Sequence, residues 1–411
     1  MRIHFARHAA YAFILIALLL LIPSQSNFVF SQTITPFNIT NNFGKLAEND
    51  HNFTWATGPS SAPGIIQYSP KDNFVSFEKS KTFSATAKCY QDKNDSATVT
   101  VNKVELNNLT PGIEYVYRVG SPGNFSSQGI FRTAPNDGSG FTFLHITDTQ
   151  GASLRDYTLW KNTLNKALAK FPSARFLVHT GDMVDDGQYS NQWNMFEGSV
   201  STELLNLAIE PTVGNHEVLN ENKTNTNARN FVDNFDLPIS LNSGAPAGTV
   251  YSFDYGNAHF AVLNTECAAS NLKIEAEWLK SDMLASKKQW KIVALHRGPY
   301  GATYDSATTR GILCPVFDTT GVDLILQGHD HNYVRSTMKG GIKVPLGKGP
   351  LYITSNSGGV KFYPLKPRSW QSVDLQPMTQ MFTALNISNN KMYIKAYDIK
   401  YNLVDSVTLQ K

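Results

Sequence analysis

An all-β sandwich followed by a larger α/β domain is the architecture this sequence leads one to expect, on three observations. Between residues 33 and 135 short stretches of alternating polar and apolar residues are separated by turn residues. From residue 139 to 411 strands alternate with helices, and a Pro/Asn/Asp/Gly/Ser linker at 134–140 divides the two patterns. A length of 411 residues suits two domains of unequal size. With 41% hydrophobic and 17% charged residues the chain reads as globular, and a net charge of +3 gives no reason to expect a nucleic acid partner.

The first 32 residues stand apart. Arg2 and Arg7 precede an apolar run over 9–22, which Pro23 and a Ser/Gln/Asn stretch close. The run is shorter than the ~17–25 residues of a spanning helix, so it reads as a secretory signal peptide. A retained N-terminal anchor is the alternative, because no small-x-small cleavage site is visible, and only then would the chain contact a membrane. Either way the rest of the chain is expected outside the cytoplasm, secreted or at the cell surface. Asn-x-Ser/Thr triplets at Asn38, Asn52, Asn94, Asn108, Asn124, Asn222 and Asn386 fit export as a glycoprotein. Of the three cysteines, Cys267 and Cys314 fall in the second domain and form the expected pair, with three buried free thiols as the alternative.

In chain order, Phe53 with Trp55 and Val99 with Val101 alternate on the first strands. Tyr115, Tyr117 and Val119 share a face after the Pro111, Gly112 turn, and residues 109–115 have the form of a tyrosine corner. Nothing in this part looks chemically active, so it reads as a packing or positioning module. Beyond the linker, residues 141–147 open as an apolar strand. Tyr157, Trp160, Leu164, Ala167, Leu168 and Phe171 then recur at helical spacing, and 175–180 is again a strand. Further strands are expected at 210–213, 259–265, 290–296, 322–327 and 351–354. The tail over 382–409 alternates around Asn389, Asn390, which suggests a closing hairpin.

Polar residues cluster where these strands end, the edge at which α/β proteins bind ligands. In order they are Asp148-Thr149-Gln150, Gly181-Asp182, Gly214-Asn215-His216-Glu217, His296-Arg297 and Gly328-His329-Asp330-His331. Carboxylates and amide oxygens suit hard divalent ions, and imidazoles suit zinc, iron or manganese. Glycine before Asp182, Asn215 and His329 allows a tight turn, in some cases at positive φ, that aims the next side chain into a crowded site. Each cluster alone would pass as a polar strand end, but five in this order point to a metal centre.

With these motifs the chain resembles the calcineurin-like metallophosphoesterases, and within them the purple acid phosphatases. The family pattern is Asp-x-His or Asp-x-Gly, Gly-Asp, Gly-Asn-His-Asp/Glu, a lone His and Gly-His-x-His. The upstream part resembles the fibronectin-like domain of the same enzymes, down to Phe-Arg-Thr-Ala-Pro at 131–135. The implied fold is a four-layer α/β metallophosphoesterase sandwich flanked by helices, at 139–411, preceded by a fibronectin III-like sandwich at 33–135. The resemblance implies two metal ions, divalent or mixed-valence iron, manganese or zinc, with magnesium or calcium admitted. Asp182 would bridge them, Asp148 and His331 would complete one site, and Asn215, His296 and His329 the other. Ions roughly 3.5–4 Å apart can bind phosphoryl oxygens and acidify a bridging water. The implied reaction is therefore hydrolysis of a small phosphate ester by a metal-bridging hydroxide, with His216 as catalytic histidine beside Asp182 and Asn215.

Two departures qualify the resemblance. Asp185 stands where purple acid phosphatases carry an iron-binding tyrosine, so no charge-transfer colour is expected, and Asp185 and Asp186 read as loop residues near the site. Gln150 replaces a common histidine ligand; its amide oxygen could coordinate and would favour harder ions, or it could hydrogen-bond to a ligand. Arg297 and Tyr300 could meet substrate, and Glu217 either orients His216 or braces its turn. His145, His179 and His259 read as satisfied core histidines. Asn332, Tyr333 and Arg335 read as supports of the last motif, and Ser357-Gly358-Gly359 as a tight turn. A phosphomonoesterase is the leading expectation, with a phosphodiesterase, a nucleotidase or a non-catalytic surface binding protein as alternatives.

Overall fold

Phe53, Trp55, Ile66, Tyr68, Tyr117 and Phe131 converge between two antiparallel sheets in the N-terminal part of the computed structural model, which describes residues 35–60, 62–91, 98–219 and 226–411. The N-terminal segment and the triplets at Asn94 and Asn222 lie outside the described residues. One sheet orders Phe37–Phe43, His51–Thr57, Thr98–Leu106 and Thr86–Gln91. The other joins Lys81–Ser84, Ile65–Pro70 and Glu114–Ser121, with Asn124–Phe125 and Gly129–Arg132 both paired to Glu114–Ser121. Each buried ring removes on the order of 150–250 Å² from water, so aromatic packing supplies most of this small core. Tyr115 forms the anticipated corner, its hydroxyl accepting from the Thr110 N–H at 2.9 Å while its ring stacks on Phe131 at 4.8 Å.

The C-terminal part is built from two facing sheets. The first runs Ala208–Pro211, Ala174–His179, Phe141–Ile146, Met381–Ser388, Lys391–Asp398 and Leu403–Gln410, parallel over the first three and antiparallel thereafter. The second is parallel through Ala258–Val262, Trp290–Arg297, Leu324–Gly328 and Leu351–Thr354. Antiparallel strands flank it, Tyr251–Tyr255 on one side and Tyr333–Lys339 on the other. Between the sheets Phe143 stacks on Phe176 at 5.1 Å, and Phe260 meets both edge-on.

Helices close both outer faces. Leu154–Lys170 begins at a capping box between Ser153 and Asp156 and buries Tyr157, Trp160, Leu164 and Ala167 against the first sheet. Ala269–Ala285 and Ala307–Thr320 cover the second sheet through Leu272, Leu279, Leu313 and Phe317. The result is a four-layer α/β/β/α sandwich. The N-terminal sandwich docks on it through Phe37–Phe43: the Phe43 N–H donates to Glu210 Oε1 at 2.7 Å, and the Phe43 ring enters the main core.

Three expectations change. The tail is a three-stranded meander rather than one hairpin, because Lys400 to Asn402 turn the chain once more after Lys391–Asp398. Cys267 and Cys314 are not paired. The Cys267 thiol bonds the Asn264 carbonyl at 3.3 Å, while Cys314, within a helix, accepts from the Tyr352 hydroxyl at 3.6 Å. A shared domain does not bring two Cβ atoms to the ~3.8 Å that a disulfide needs. Finally, Asn38 and Asn52 are buried and their amides are engaged, with Asn194 Oδ1 at 2.6 Å and the Asp236 carbonyl at 2.9 Å, so neither offers a glycan acceptor in the fold, whereas Asn108 is exposed.

Candidate metal centre

The C-terminal ends of five strands deliver the polar clusters to one edge of the two facing sheets. Phe141–Ile146 leads into Asp148 and Gln150, Ala174–His179 into Asp182, and Ala208–Pro211 into Asn215 and His216. Trp290–Arg297 carries His296 and Arg297 at its end, and Leu324–Gly328 leads into His329 and His331. Four of these side chains sit on left-handed backbone, with φ of 54° at Asp148, 54° at Asp182, 74° at His329 and 48° at His331. Such a conformation costs a non-glycine residue roughly 1–2 kcal/mol, and its concentration at one strand edge marks a site that the surrounding fold holds in place. Of the three flanking glycines only Gly181 has positive φ, at 88°. Gly214 is required by close approach: a Cβ there would lie 2.3 Å from the Asp182 backbone nitrogen.

Two buried groups of potential ligands share Asp182. Asp182, His296 and His329 form one, Asp148, Asp182 and His331 the other, each with donor atoms within 4.8 Å of one another. His296 Nε2 lies 3.2 Å from Asp182 Oδ2 and 3.2 Å from Asn215 Oδ1, and His331 Nε2 lies 3.2 Å from Asp148 Oδ1. The other ring nitrogens are committed: His296 Nδ1 donates to the Thr180 carbonyl at 2.7 Å and His331 Nδ1 to the Lys361 carbonyl at 2.9 Å. A carbonyl only accepts, so each Nδ1 carries a proton and each Nε2 faces the carboxylates, where a metal ion would take the place of a second proton. Gln150 fits the same centre. With its nitrogen donating to the Asp148 and Asp182 carbonyls at 3.1 and 3.3 Å, its amide oxygen stands 3.3 Å from His331 Nε2.

Burial by itself would raise Asp182, but His296 and His216 beside it outweigh that effect and hold its carboxyl well below the usual carboxylate range. Conversely, burial would lower His296, and the Asp182 carboxylate instead raises it to about 10. Each group thus carries an interaction that a cation can replace. Two carboxylates, three imidazoles and two amides converging on one buried edge fit a pair of divalent cations.

Glu217 does not orient the His216 ring. Its carboxylate accepts the N–H groups of Gly214 at 2.7 Å, Asp182 at 2.8 Å and Met183 at 2.8 Å, and so pins the Gly-Asp loop to the Gly-Asn-His-Glu loop. Burial, followed by the Asp182 charge, pushes it up to about 7. His216 is oriented from elsewhere. Its Nδ1 donates to the Asp185 carbonyl at 2.6 Å, which leaves Nε2 facing Asp182 Oδ2 at 3.9 Å.

Around the rim, Arg297 is held by Glu266 at 2.8 Å and reaches His329 Nε2 at 2.8 Å. Tyr300 does not join it. The ring is 2% exposed and packs on Tyr352 and Trp370 in the core beneath the helices, because the backbone turns at Gly298 and Pro299 and sends the side chain inward. The rim tyrosines are Tyr304, 4.5 Å from the His329 ring, and Tyr363, stacked on His331 at 4.3 Å. Lys361 joins them, its ammonium 2.5 Å from Asp185 Oδ1. Sequence reasoning missed Tyr304, Tyr363, Lys361 and Glu266, which come from loops with no motif spacing; Lys361 and Tyr363 closely follow the Ser357-Gly358-Gly359 turn and Glu266 follows the strand expected at 259–265, and these were the available signals.

The remaining residues support this edge. His145 bonds Thr180 Oγ1 at 2.9 Å, His179 bonds Thr149 Oγ1 at 3.0 Å, and burial lowers both to about 3. His259 is ion-paired with Asp254 and Asp282. Tyr333 and Arg335 both reach Asp405, at 2.8 and 2.6 Å, and Asn332 Nδ2 donates to the Asp330 carbonyl at 2.8 Å. Ser357 Oγ donates to the Asp148 carbonyl at 2.6 Å, with Gly358 and Gly359 packed so tightly against residues 146–149 that side chains would collide.

Comparison with known proteins adds two family matches and several phosphatase relatives. Residues 141–333 match the calcineurin-like phosphoesterase family, and residues 36–133 match the purple acid phosphatase N-terminal domain. Acid phosphatase type 7 of Homo sapiens is 25% identical over 329 residues, covering 70% of this chain and 71% of that protein. Purple acid phosphatase 13 of Arabidopsis thaliana is 24% identical over 345 residues, covering 73% of this chain and 63% of that protein. The solved structure of purple acid phosphatase PPD1 from yellow lupin (Lupinus luteus) seeds superposes with a TM-score of 0.79 at 17% identity, over 92% of this chain and 74% of that one. The chain thus carries a calcineurin-like phosphoesterase domain behind a purple acid phosphatase N-terminal domain, and its phosphatase relatives support a metal-dependent phosphatase.

Proposed function

We propose that this purple acid phosphatase-like chain is a phosphomonoesterase that releases phosphate from small organic phosphates outside the cytoplasm. The observation that carries the reading is Asp182, shared by two buried ligand groups, with His216 and Arg297 on the same edge. Asp148, Gln150, Asp182 and His331 would hold one ion, and Asp182, Asn215, His296 and His329 the other. When bound, the pair supplies Lewis-acid polarisation of the phosphoryl oxygens and acidifies water.

The chain's own residues do the rest. Arg297 presents a planar fork of donors to phosphoryl oxygens, held in place by Glu266. His216, its Nδ1–H fixed on the Asp185 carbonyl, turns Nε2 to the site, where it takes up a second proton as the imidazolium and passes it to the leaving alkoxide, and the Asn215 amide steadies the ester beside it. Gln150 and the absence of a tyrosine at 185 favour harder divalent ions and a colourless protein. Export rests on the Arg2/Arg7 and apolar 9–22 pattern. A second reading, a nucleotidase, is favoured by Tyr304, which is 42% exposed beside His329 and could stack on a planar leaving group.

The test is hydrolysis of 4-nitrophenyl phosphate, bis(4-nitrophenyl) phosphate and a nucleoside monophosphate after metal is stripped and resupplied as manganese, zinc, iron, magnesium or calcium. Preference for the aryl monoester supports the first reading and preference for the nucleotide the second. Preference for the diester overturns both.

A further inference from the structure

Asp185 and Lys361 belong to different loops, one after the Ala174–His179 strand and one after Leu351–Thr354. Each does two things. The Asp185 carbonyl accepts the Nδ1–H of His216 at 2.6 Å, and the Lys361 carbonyl accepts the Nδ1–H of His331 at 2.9 Å. Their side chains meet each other, Lys361 Nζ on Asp185 Oδ1 at 2.5 Å. Resting on the phosphoesterase reading above, we propose that Asp185 and Lys361 are a coupled pair of positioning residues, an ionic latch that sets the tautomer and aim of His216 and His331 together.

The physical argument runs through the peptide bonds. A neutral imidazole has one N–H, and a carbonyl at Nδ1 commits it there, leaving Nε2 for the site. That commitment is only as firm as the carbonyl's position. The Asp185 peptide is braced on its nitrogen side, where the Asp185 and Asp186 N–H groups donate to Gln192 Oε1 at 2.8 and 2.7 Å. The Lys361 loop is braced by Gln376, whose amide donates to the His331 and Tyr363 carbonyls at 2.6 Å each. Neither brace joins the Asp185 loop to the Lys361 loop, whereas the ion pair crosses from one to the other. The pair is about a third exposed, 33% for Lys361 and 38% for Asp185, and such pairs add little to stability. Its effect is therefore expected in aim and not in folding. His216 serves the leaving group and His331 the metal side, so one contact couples the proton donor to the ligand set. The position that holds tyrosine in purple acid phosphatases here holds a residue that works through its backbone and its charge.

The test uses the full metal-loaded chain with Asp185→Asn, Lys361→Met and Lys361→Arg. Steady-state rates on aryl phosphates of graded leaving-group acidity should show kcat about 10–100-fold lower in the first two variants, the range for partners that orient a ligand. KM should stay within about threefold, the loss should grow as the leaving group becomes more basic, and Lys361→Arg should recover most of it. Independently of turnover, nitrogen-15 NMR of the zinc-loaded chain should place the proton of His216 on Nδ1 in wild type and show mixed tautomers in Lys361→Met. Thermal midpoints within about 2 °C would show that the variants fold; a larger drop without tautomer change overturns the latch in favour of a structural role. Wild-type-like kcat and tautomers also overturn it. So does a loss confined to KM that Lys361→Arg leaves unrepaired, because Lys361 would then touch substrate directly. If wild type turns over nothing, the phosphoesterase reading fails while the tautomer measurement still decides the latch.

Discussion

His145 and His179 lie in the Phe141–Ile146 and Ala174–His179 strands, His296 lies in Trp290–Arg297 and His331 just beyond Leu324–Gly328, and all four are at most 1% exposed. Burial therefore does not separate them. The first two meet threonine hydroxyls, have no partner on Nδ1 among the described residues, and are held neutral by desolvation. The second two donate Nδ1–H to carbonyls and turn Nε2 on carboxylates. At His296 and His331 one ring nitrogen is fixed and the other faces negative charge, the two conditions that prepare an imidazole for metal, and neither His145 nor His179 meets both.

The contrast is sharpest at Asp182, which belongs to both ligand groups. Asp182→Asn should lower kcat by roughly 10³-fold or more and release bound metal while leaving the thermal midpoint close to wild type. Retained turnover would remove Asp182 from the centre. Next come the matched substitutions His296→Asn and His145→Asn. The first should weaken metal binding by well over about tenfold, read by calorimetry. The second should leave metal stoichiometry unchanged and lower unfolding stability by about 1–3 kcal/mol, because it disturbs a buried hydrogen bond.

His259 sharpens the comparison through pH. Burial lowers its pKa, but the bonds to Asp254 and Asp282 outweigh that and raise it from 6.5 to about 9. A group raised on folding stabilises fully below its unfolded pKa, and the contribution is lost as pH rises through the folded value. The unfolding free energy from denaturant titration should therefore fall between about pH 6.5 and 9, by roughly 2 kcal/mol, and His259→Gln should flatten that slope. The smallest effect is expected at the thiols. With all three cysteines free, reductant should leave the thermal midpoint unchanged, and thiol titration in denaturant should count three groups; a reductant-dependent midpoint would restore the disulfide.

The five polar clusters that meet at the candidate centre were legible because each is a short polar motif at or just after the end of an apolar strand, and strand alternation fixes which edge they share. The supporting residues were not. Tyr304, Lys361 and Tyr363 reach the rim through loops whose direction depends on long-range packing, and Tyr300 was misplaced because nearness in sequence to His296 does not say which way the chain faces after Gly298 and Pro299. The tail was misread for a related reason: alternation shows strands but not how many, and the turn at 399–402 lacks the Asn-Asn signature of the turn at 389–390. Positive φ at Asp148, His329 and His331 could not be read at all, since these residues are held there by the fold against their own preference.

The central claim, that one buried edge holds two ions across Asp182 and uses them to hydrolyse phosphate esters, is tested most directly by titrating the metal-free chain with manganese or zinc while recording bound ion per chain and 4-nitrophenyl phosphate turnover in the same samples. The account predicts two ions per chain, turnover that rises chiefly with the second, and loss of both in Asp182→Asn. Saturation at one ion, or two bound ions with no ester cleaved, would contradict it.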